Sequence, residues 1–517
     1  MKNLLLLLTF TSLTFAIQAQ PGTLLSAKKV GADNSFQFFD TMTNCFVFGK
    51  SVCNLGDLDG DGITDIAIGA NCSNPSSGYV FILFMDSNGG VKSYKKIAKN
   101  ESGLNTASPN AFTEFGQSIA NLGDLDGDGV VDIAVGNKGS SFGGEVYILF
   151  LNTDGTVKNH SRIASNVGGF NVSLTSNQIF SYSIANIGDI DEDGVVDIAV
   201  GDYRDGDGGV ERGSVYILFL NQNGTVKKYQ KISQTAGGFS GSLVNSSSFG
   251  FSICKFSEKR LFIGARGDSD GTNENGSVWL LDIDTSGQVI NQKKYTKSTN
   301  GFNDSLTLYC EFGGALANIG DIDGDGISEI AVGAPGYNDN GTASGAVFII
   351  ALDSNDEIKF LKRYSNSVGN LPFTFEEFDL FGISISSIGD YNKDKKLDII
   401  VGSSREDAPS RINKGRLNLL FLDGIEHDLS TSKLSINSRS ISVYPNPTDS
   451  KIKVAINSST LHQADVHITD VSGKICLSLQ NFDLSNEIDV SMLKAGVYFV
   501  RLQTSEGVFQ TKLIVQQ

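Results

Sequence analysis

The sequence has few of the residues on which most enzyme sites depend. Among its 517 residues there are 4 His, 1 Trp and 6 Cys, and the cysteines form neither a CxxC pair nor a zinc-ligand spacing. No Ser/His or Cys/His arrangement recurs along the chain. Zinc, thiol and histidine chemistry are therefore disfavoured. Cys53 and Cys254 fall at a strand position that holds alanine in other repeats, which predicts small core residues.

Positive charge and long apolar runs are also scarce. The net charge of −17 argues against a nucleic-acid partner, because binding to phosphates requires a basic surface. The apolar run Leu4–Leu8 follows Lys2 and continues towards Ala19, but polar residues interrupt it before it reaches the roughly 20 residues of a membrane span. It predicts a secretory signal peptide over residues 1–19 rather than a membrane anchor. No other segment is expected to cross a membrane as a helix.

Glycine, at 58 residues, marks an internal repeat. Phe-Gly or its equivalent begins each of six copies, which are 63 to 69 residues apart. The second position of each pair lies at Gly49, Gly116, Ser181, Gly250, Gly313 and Gly382. In the second copy, apolar runs and turn residues predict strands at 118–120, 131–135, 145–151 and 157–164. Four strands at this period indicate an all-β fold, a β-propeller.

The two ends of the repeated region predict how the propeller closes. The sixth copy ends at its third strand, Arg416–Leu422, and no Lys-rich fourth strand follows. Near the N-terminus, Thr23–Val30 has the Lys-rich pattern of the fourth strands. We therefore expect the N-terminal strand to complete the last of six blades, which removes the open sheet edges. The propeller is predicted over residues 20–424.

Five copies carry an acidic loop between their first and second strands. Carboxylates recur at relative positions 1, 3, 5 and 9, and such loops commonly add the backbone carbonyl of position 7. Calcium takes six to eight oxygens at about 2.3–2.6 Å, which alternate carboxylates can supply. The predicted ligands are Asp57, Asp59, Asp61, Ile63 and Asp65 in loop 1; Asp124, Asp126, Asp128, Val130 and Asp132 in loop 2; Asp189, Asp191, Asp193, Val195 and Asp197 in loop 3; Asp321, Asp323, Asp325, Ile327 and Glu329 in loop 4; and Asp390, Asn392, Asp394, Lys396 and Asp398 in loop 5.

These loops predict about five structural Ca²⁺ sites. Loop 5 has Lys395 where the others have a turn glycine, so we expect its affinity to be lower. The fourth copy has no acidic loop and turns at 257–260. An EF-hand would require Glu at position 12, which is Ile68 in loop 1. An acidic turn without metal is the other alternative, but four adjacent carboxylates repel one another unless a cation lies between them.

The repeated motifs resemble the FG-GAP repeats of the integrin α-subunit propellers. The resemblance rests on Phe-Gly, the DxDxDG loop and strand ends such as Ile330–Ala334, which recur in register over about residues 23–424. It implies a calcium-stabilised propeller used for binding. The best-known members of that family have seven blades, so seven is the alternative to the six counted here.

If the acidic loops hold calcium, the ligand face is expected on the opposite rim, among loops such as Tyr203–Arg212 and Gly336–Gly345. Links between blades repeat an aromatic residue, which could form an exposed platform or fill gaps between blades: Phe170, Phe239 and Phe302. Repetition at the same blade position favours gap filling. The tripeptide Arg266-Gly267-Asp268 matches a motif that many integrins recognise, and we interpret it as a chance match.

Acidic residues on the same rim leave an enzyme as the second hypothesis. They are Asp205, Asp207, Glu211, Glu376 and Glu377. A glycosidase requires paired carboxyl groups about 5–9.5 Å apart, which the sequence cannot place.

The C-terminal tail is predicted to be a separate domain. After a polar linker at 425–440, alternating strands and turns from 441 to 517 predict a small β-sandwich. The motifs YPNP at 444–447, DVSGK at 470–474 and LKAGVYFVRL at 493–502 resemble the C-terminal sorting domain of the Bacteroidetes type IX secretion system. The resemblance implies recognition by that machinery and export across the outer membrane. The function expected from the whole sequence is a secreted or surface-displayed scaffold that binds an extracellular glycan or protein.

Overall fold

The computed structural model describes residues 21–30, 45–73, 76–106, 114–138, 143–269, 275–405, 415–425 and most of 441–515. The signal peptide predicted at 1–19 and nearly all of the predicted linker at 425–440 lie outside these residues. The chain divides into two compact units, Met1–Asp428 and Leu429–Gln517. The described residues contain strands, turns and bends but no helix.

The first unit contains six four-stranded antiparallel sheets within the described residues, called blades 1 to 6. Blade 1 consists of β2 (Cys45–Gly56), β3 (Asp65–Ser73), β4 (Ser76–Met85) and β5 (Val91–Ile97). Blade 2 consists of β6 (Ile119–Gly123), β7 (Asp132–Asn137), β8 (Glu145–Leu151) and β9 (Val157–Ala164). Blade 3 consists of β10 (Ser183–Gly188), β11 (Asp197–Asp202), β12 (Ser214–Leu220) and β13 (Val226–Ser233).

The remaining blades follow the same order. Blade 4 consists of β14 (Phe249–Ser257), β15 (Arg260–Ala265), β16 (Ser277–Ile283) and β17 (Val289–Tyr295). Blade 5 consists of β18 (Ala315–Gly320), β19 (Glu329–Ala334), β20 (Ala346–Leu352) and β21 (Ile358–Tyr364). Blade 6 consists of β22 (Phe381–Gly389), β23 (Asp398–Ser403), β24 (Arg416–Leu422) and the N-terminal β1 (Leu24–Lys29), which pairs with β24 as predicted.

The position of each strand within a blade follows from its residues. Every residue of β8 is buried, which suits a strand covered on both faces, whereas β9 exposes its lysine and asparagine on the outer edge. The predicted bounds of β8 and β9 are confirmed. The predicted second strand, 131–135, lies one to two residues N-terminal to β7, because the last residue of the acidic loop, Asp132, is itself the first strand residue.

A repeated serine hydrogen bond joins five of the six blades to the next. The serine near the start of the first strand donates to the carbonyl of the next blade's anchor residue in five of the six blades, and blade 5 has Ala315 at this position. The bonds, at 2.7–2.8 Å, are Ser51 to Gly116, Ser118 to Ser181, Ser183 to Gly250, Ser252 to Gly313 and Ser384 to Gly49. Because the last of these links blade 6 to blade 1, the six sheets form a ring.

The glycine that ends the second strand of each blade allows this close approach. A Cβ on Gly201 would lie 2.0 Å from the carbonyl oxygen of Gly250, the anchor of the next blade, and Gly250 itself has φ +85°. Equivalent glycines in the other blades have the same neighbour within 1.9–2.4 Å. Backbone contact between blades therefore explains both glycines of the repeat. Cys53 and Cys254 are buried in this part of the core, as predicted.

The second unit consists of two sheets around one core. One contains β25 (Ile441–Tyr444), β26 (Lys451–Ile456) and β29 (Ile488–Asp489). The other contains β27 (Gln463–Asp470), β28 (Ile475–Asp483), β30 (Gly496–Thr504) and β31 (Gly507–Val515). Val454 of the first sheet packs in one cluster with Val466 and Val500 of the second. This arrangement agrees with the predicted small β-sandwich.

Candidate metal centres and the opposite rim

The five acidic loops share one conformation, which their own carboxylates hold. In loop 2, Asp124 accepts hydrogen bonds from the N–H groups of Gly127, Asp128 and Gly129 at 2.8–2.9 Å. Asp128 accepts another from Val130 at 2.9 Å. Loops 1, 3, 4 and 5 repeat the bonds that involve the N–H groups of positions 6 and 7. The repeated sequence therefore produces a repeated backbone geometry.

The carboxylate at position 9 is buried and anchors the loop to its blade. In loop 2, the Asp132 carboxylate accepts hydrogen bonds from Leu125 at 2.9 Å and from Leu151, the last residue of β8, at 3.1 Å. Burial raises the pKa of Asp132 to about 6, although these two N–H groups act in the opposite direction. Full burial at position 9 is shared by Asp65, Asp132, Asp197, Glu329 and Asp398.

Carboxylate oxygens converge in four of the five loops. The oxygens of each group lie within 4.8 Å of one another. Two ligands on opposite sides of Ca²⁺ are about 5 Å apart, and an all-oxygen donor set suits a hard cation. The groups are Asp57, Asp59 and Asp61; Asp124, Asp126 and Asp132; Asp189, Asp191 and Asp197; and Asp321, Asp323, Asp325 and Glu329.

Loop 4 provides the clearest test of whether these residues fit a cation. Glu329 is one methylene longer than the aspartate of other loops, and its Oε2 accepts a hydrogen bond from Ile322 at 2.6 Å. Its Oε1 is buried without a hydrogen-bond partner. Burial, opposed by the Ile322 N–H and reinforced by three aspartate charges, raises the pKa of Glu329 to about 8. A divalent cation would satisfy this oxygen and compensate these charges.

Loop 5 and blade 4 depart from the pattern. Lys393 and Lys395 have φ of 62° and 69° where other loops mostly use glycine, a left-handed conformation that strains a residue with a side chain. Among the described residues, the acids of loop 5 are not in a converging group. These features support a weaker fifth site, which stays a prediction. In blade 4, Ser257 pairs directly with Arg260, so the predicted loopless turn is confirmed.

The opposite rim has a cluster of aromatic and cationic side chains. Tyr182 precedes the first strand of blade 3 and Tyr203 follows its second strand, so both lie at the end away from the acidic loop. Their rings are 4.5 Å apart, and the ring of Phe251 from blade 4 lies 4.4 Å from that of Tyr182. Arg266 stacks 3.9 Å above Phe251, and Lys50 Nζ donates to the Tyr182 hydroxyl at 3.4 Å. Tyr203 lies in a loop that the sequence predicts for this rim, but the cluster as a whole was not predicted, because its members come from three blades.

An open depression of about 880 Å³ lies on the same rim, and its lining includes Asp205, Asp207 and Glu211. Lys231 Nζ lies 2.8 Å from the Asp205 carboxylate and 3.2 Å from that of Asp207. Glu376 and Glu377 instead line a separate depression of about 530 Å³. The structure therefore divides the five candidate acids between two places.

Asp202, next to the first depression, is fully buried. Burial, opposed by the Ile179 N–H and reinforced by the charge of Asp205, raises its pKa to about 7. Its two oxygens accept hydrogen bonds from Ile179 and Gln178, both at 2.9 Å. Since both oxygens are engaged and the side chain is buried, Asp202 does not present a proton to the depression.

Two sequence features on this rim serve packing. Phe170, Phe239 and Phe302 are 0%, 5% and 8% exposed, so they fill gaps between blades and the exposed-platform alternative is wrong. Asp268 is also fully buried; it forms an ion pair with Lys294 at 2.8 Å. The tripeptide at 266–268 therefore does not present its carboxylate at the surface.

Comparisons with known proteins agree with this architecture. The FG-GAP repeat model matches residues 48–83, 115–149 and 312–350, and the secretion system C-terminal sorting domain model matches residues 442–516. The chain is 33% identical to integrin alpha-4 of Xenopus laevis over 158 residues, and 34% identical to integrin alpha-V of Gallus gallus over 168 residues. Each match covers 30% of this chain and 14% of the relative's own length.

The matched repeats are those of blades 1, 2 and 5. Among the described residues, none forms a helix that could cross a membrane. The chain thus combines integrin-α-like FG-GAP repeats, arranged as a propeller, with a C-terminal sorting domain that directs export through type IX secretion to the cell surface or outside.

Proposed function

We propose that the protein is a binding or adhesion scaffold that recognises an extracellular glycan or protein through the rim opposite the acidic loops. The observation that carries this proposal is the separation of two kinds of surface. One rim holds carboxylates that converge and could hold cations. The other carries the cluster of Tyr182, Tyr203 and Phe251 with its stacked Arg266, beside an open depression.

The chemistry of this cluster suits recognition. Half-buried tyrosines offer a flat apolar surface together with a polar hydroxyl, which is why such residues are enriched in binding sites. Lys50, Arg204 and Arg266 lie over the rings of this cluster. Arg204 and Arg266 also pair with Glu211 and Glu311, so the cluster offers both cationic and acidic groups to a ligand.

The proposal includes calcium in the acidic loops. The 25 predicted ligands would supply about five Ca²⁺ sites, with the fifth weaker, and bound Ca²⁺ would neutralise carboxylates that otherwise repel one another. The role is structural, since the residues of each loop surround one position. The propeller at 20–424, the linker at 425–440 and the sorting domain at 441–517 are the proposed domains. Removal of the signal peptide and contact with type IX machinery would precede function.

An extracellular carbohydrate-active hydrolase or lyase is the second candidate. Asp205 and Asp207 share one depression and one lysine, which is the observation in its favour. Asp202, the acid with a raised pKa, is buried, and both of its oxygens are hydrogen-bonded. Among the described residues that line this depression, none is therefore an exposed carboxyl group with a raised pKa. Binding without turnover therefore fits better.

An array of glycans and matrix proteins tests both candidates. The full exported chain is applied with calcium and with chelator, and the bound material is analysed for released products. We expect binding without turnover, and we expect Tyr203→Ala to weaken it at least tenfold. Tyr94→Ala, which alters an exposed tyrosine on the outer strand of blade 1, is the matched control. Released oligosaccharide would establish the enzyme, and full binding by Tyr203→Ala would exclude this ligand face.

A further inference from the structure

A lysine from the outer strand of the blade contacts the acidic loop in each of the four loops where carboxylates converge. It bridges the carboxylates at positions 3 and 5 of the loop. In loop 4, Lys359 Nζ lies 2.7 Å from Asp323 and 2.9 Å from Asp325. The equivalent contacts are Lys92 with Asp59 and Asp61, Lys158 with Asp126 and Asp128, and Lys227 with Asp191 and Asp193.

The strand register explains why the lysine reaches the loop. In blade 2, Leu151 at the end of β8 donates its N–H to the position-9 Asp132 and pairs with Val157 at the start of β9. Lys158 is the next residue, at a register shift between the two strands. The same shift lies at the equivalent residues of blades 1, 3 and 5. The lysine is therefore held beside its loop by the backbone.

The two remaining blades act as internal controls. Blade 4 has no acidic loop, and its residue at the same register is Ile290, which is 69% exposed. Blade 6, with the atypical loop 5, has Leu25 there, which is 47% exposed. Because both blades have an exposed apolar residue at this position, the outer strand can form without a lysine there. Lysine occurs at this position only beside a loop with converging carboxylates.

The lysine occupies oxygens that a cation would use. In loop 1, Asp61 Oδ1 accepts the Ile63 N–H, and its Oδ2 contacts Lys92. Asp59 likewise contacts Lys92 through Oδ2 at 3.2 Å. A cation that enters this loop must displace the lysine ammonium group from these carboxylates, and the positive charge of the ammonium group repels it.

We propose that Lys92, Lys158, Lys227 and Lys359 are built-in counter-cations that hold the loop carboxylates together in the metal-free chain and compete with calcium for them. This inference rests on the proposed binding of calcium by the loops. Each lysine offsets one negative charge of its loop, which keeps the loop folded when calcium is scarce. It also weakens each site, so that calcium binds only where it is abundant, as it is outside the cell.

The test compares charge-removing variants of the full exported chain. Lys92→Gln, Lys158→Gln and Lys359→Gln are combined, and Lys227 is left because Lys228 also contacts Asp191, at 3.1 Å. Calorimetric titration of chelator-treated protein with calcium is expected to show three sites tightened by about three- to thirty-fold, from the loss of one charge about 5–6 Å from the ion. The metal-free melting temperature is expected to fall.

Two further variants make the test specific. Ile290→Gln, beside the loopless turn, is expected to change neither quantity. Leu25→Lys places an ammonium group at the same register in blade 6 and is expected to weaken the fifth site. If the wild-type protein binds calcium and the triple variant binds it with unchanged affinities, the inference about the lysines is overturned, but the proposed metal sites are not. Wild-type protein that binds no calcium would overturn both this inference and the proposed metal sites.

Discussion

Removal of calcium is the perturbation whose size can be worked out best from the structure. Four loops have converging carboxylates and a fifth retains the same backbone. If each site binds with the dissociation constant of about 0.1–1 mM common in extracellular modules, then 1 mM calcium stabilises the protein by about 0.4–1.4 kcal/mol per site. Five sites together contribute about 2–7 kcal/mol on this basis.

This free energy converts to a shift in melting temperature. A unit of about 400 residues unfolds with an entropy of about 0.8 kcal/mol/K, taken at about 2.1 cal/mol/K per residue. Chelation is therefore expected to lower the melting temperature by about 2–8 °C. Magnesium should restore less of it, since Mg²⁺ requires a smaller octahedral shell and gives up its water reluctantly.

The assay is thermal unfolding of the full chain in 1 mM calcium and in chelator, followed by near-ultraviolet circular dichroism. Asp126→Asn in loop 2 removes one ligand charge and is expected to reduce the calcium-dependent shift by about a fifth, one site in five. Glu258→Gln alters an exposed acid in the loopless turn of blade 4 and should leave the shift intact. An unchanged melting temperature after chelation, for protein shown by elemental analysis to begin metal-loaded, would refute structural calcium.

Three further predictions concern ring closure and buried charge. Ser384→Ala removes the hydrogen bond to Gly49 and is expected to lower the free energy of unfolding by about 1 kcal/mol in denaturant titrations. Gly201→Ala places a methyl group 2.0 Å from the Gly250 carbonyl and should reduce stability by at least about 3 kcal/mol, measured by the same titrations. Asp202 has its folded pKa raised to about 7. Its folded state therefore retains a proton that the unfolded chain releases near pH 4, and stability falls as pH rises from about 4 to 7. Asp202→Asn should remove this dependence and gain up to about 4 kcal/mol relative to the native chain by pH 8, in denaturant titrations across pH.

Each of these has a result that would contradict it. Wild-type stability in Ser384→Ala would mean that the last serine bond does not contribute to closing the ring. A stable Gly201→Ala variant would show that neighbouring blades can separate at their anchors. An identical pH profile for Asp202→Asn and the native chain would show that Asp202 ionises normally in the folded protein.

Much of the propeller could be predicted because its signals are local and repeated. The apolar run of β8 and the lysine pattern of β9 identified both strands to the residue. The lysine pattern of Thr23–Val30 was enough to assign β1 to the last blade, although its partner β24 lies almost 400 residues away. Each of these predictions needed only the residue pattern of a strand and the period of the repeat.

The ligand rim could not be predicted in the same way, because its residues meet only across blades. Tyr182, Tyr203 and Phe251 are each unremarkable in sequence, and only the packing of blade 4 on blade 3 brings them together. Phe170 carried a repeated motif that invited a functional interpretation, yet it stacks on Phe180 at 4.7 Å inside the core. Repetition indicated packing, and the proposed ligand surface lies where the copies differ.

Cationic side chains of the outer strands contact acidic groups at both rims. In blade 3, Lys227 contacts the acidic loop, and Lys231, four residues later, contacts Asp205 on the opposite rim. Residues four apart on a strand lie on the same face, about 13 Å from one another. Blade 5 repeats the arrangement, with Lys359 at its loop and Arg363 beside Asp304 at 3.1 Å.

Blade 4 has only one of these two kinds of contact, because it lacks both the acidic loop and the lysine that would contact it. It keeps only the second cation, Lys294, on the buried Asp268. The lysines of the outer strand therefore do more than protect a sheet edge from aggregation. The first cation occurs only beside an acidic loop with converging carboxylates, and the second pairs with an acid of the other rim. The two rims can thus change independently within one blade, so a repeat can keep its acidic loop while the proposed ligand rim varies.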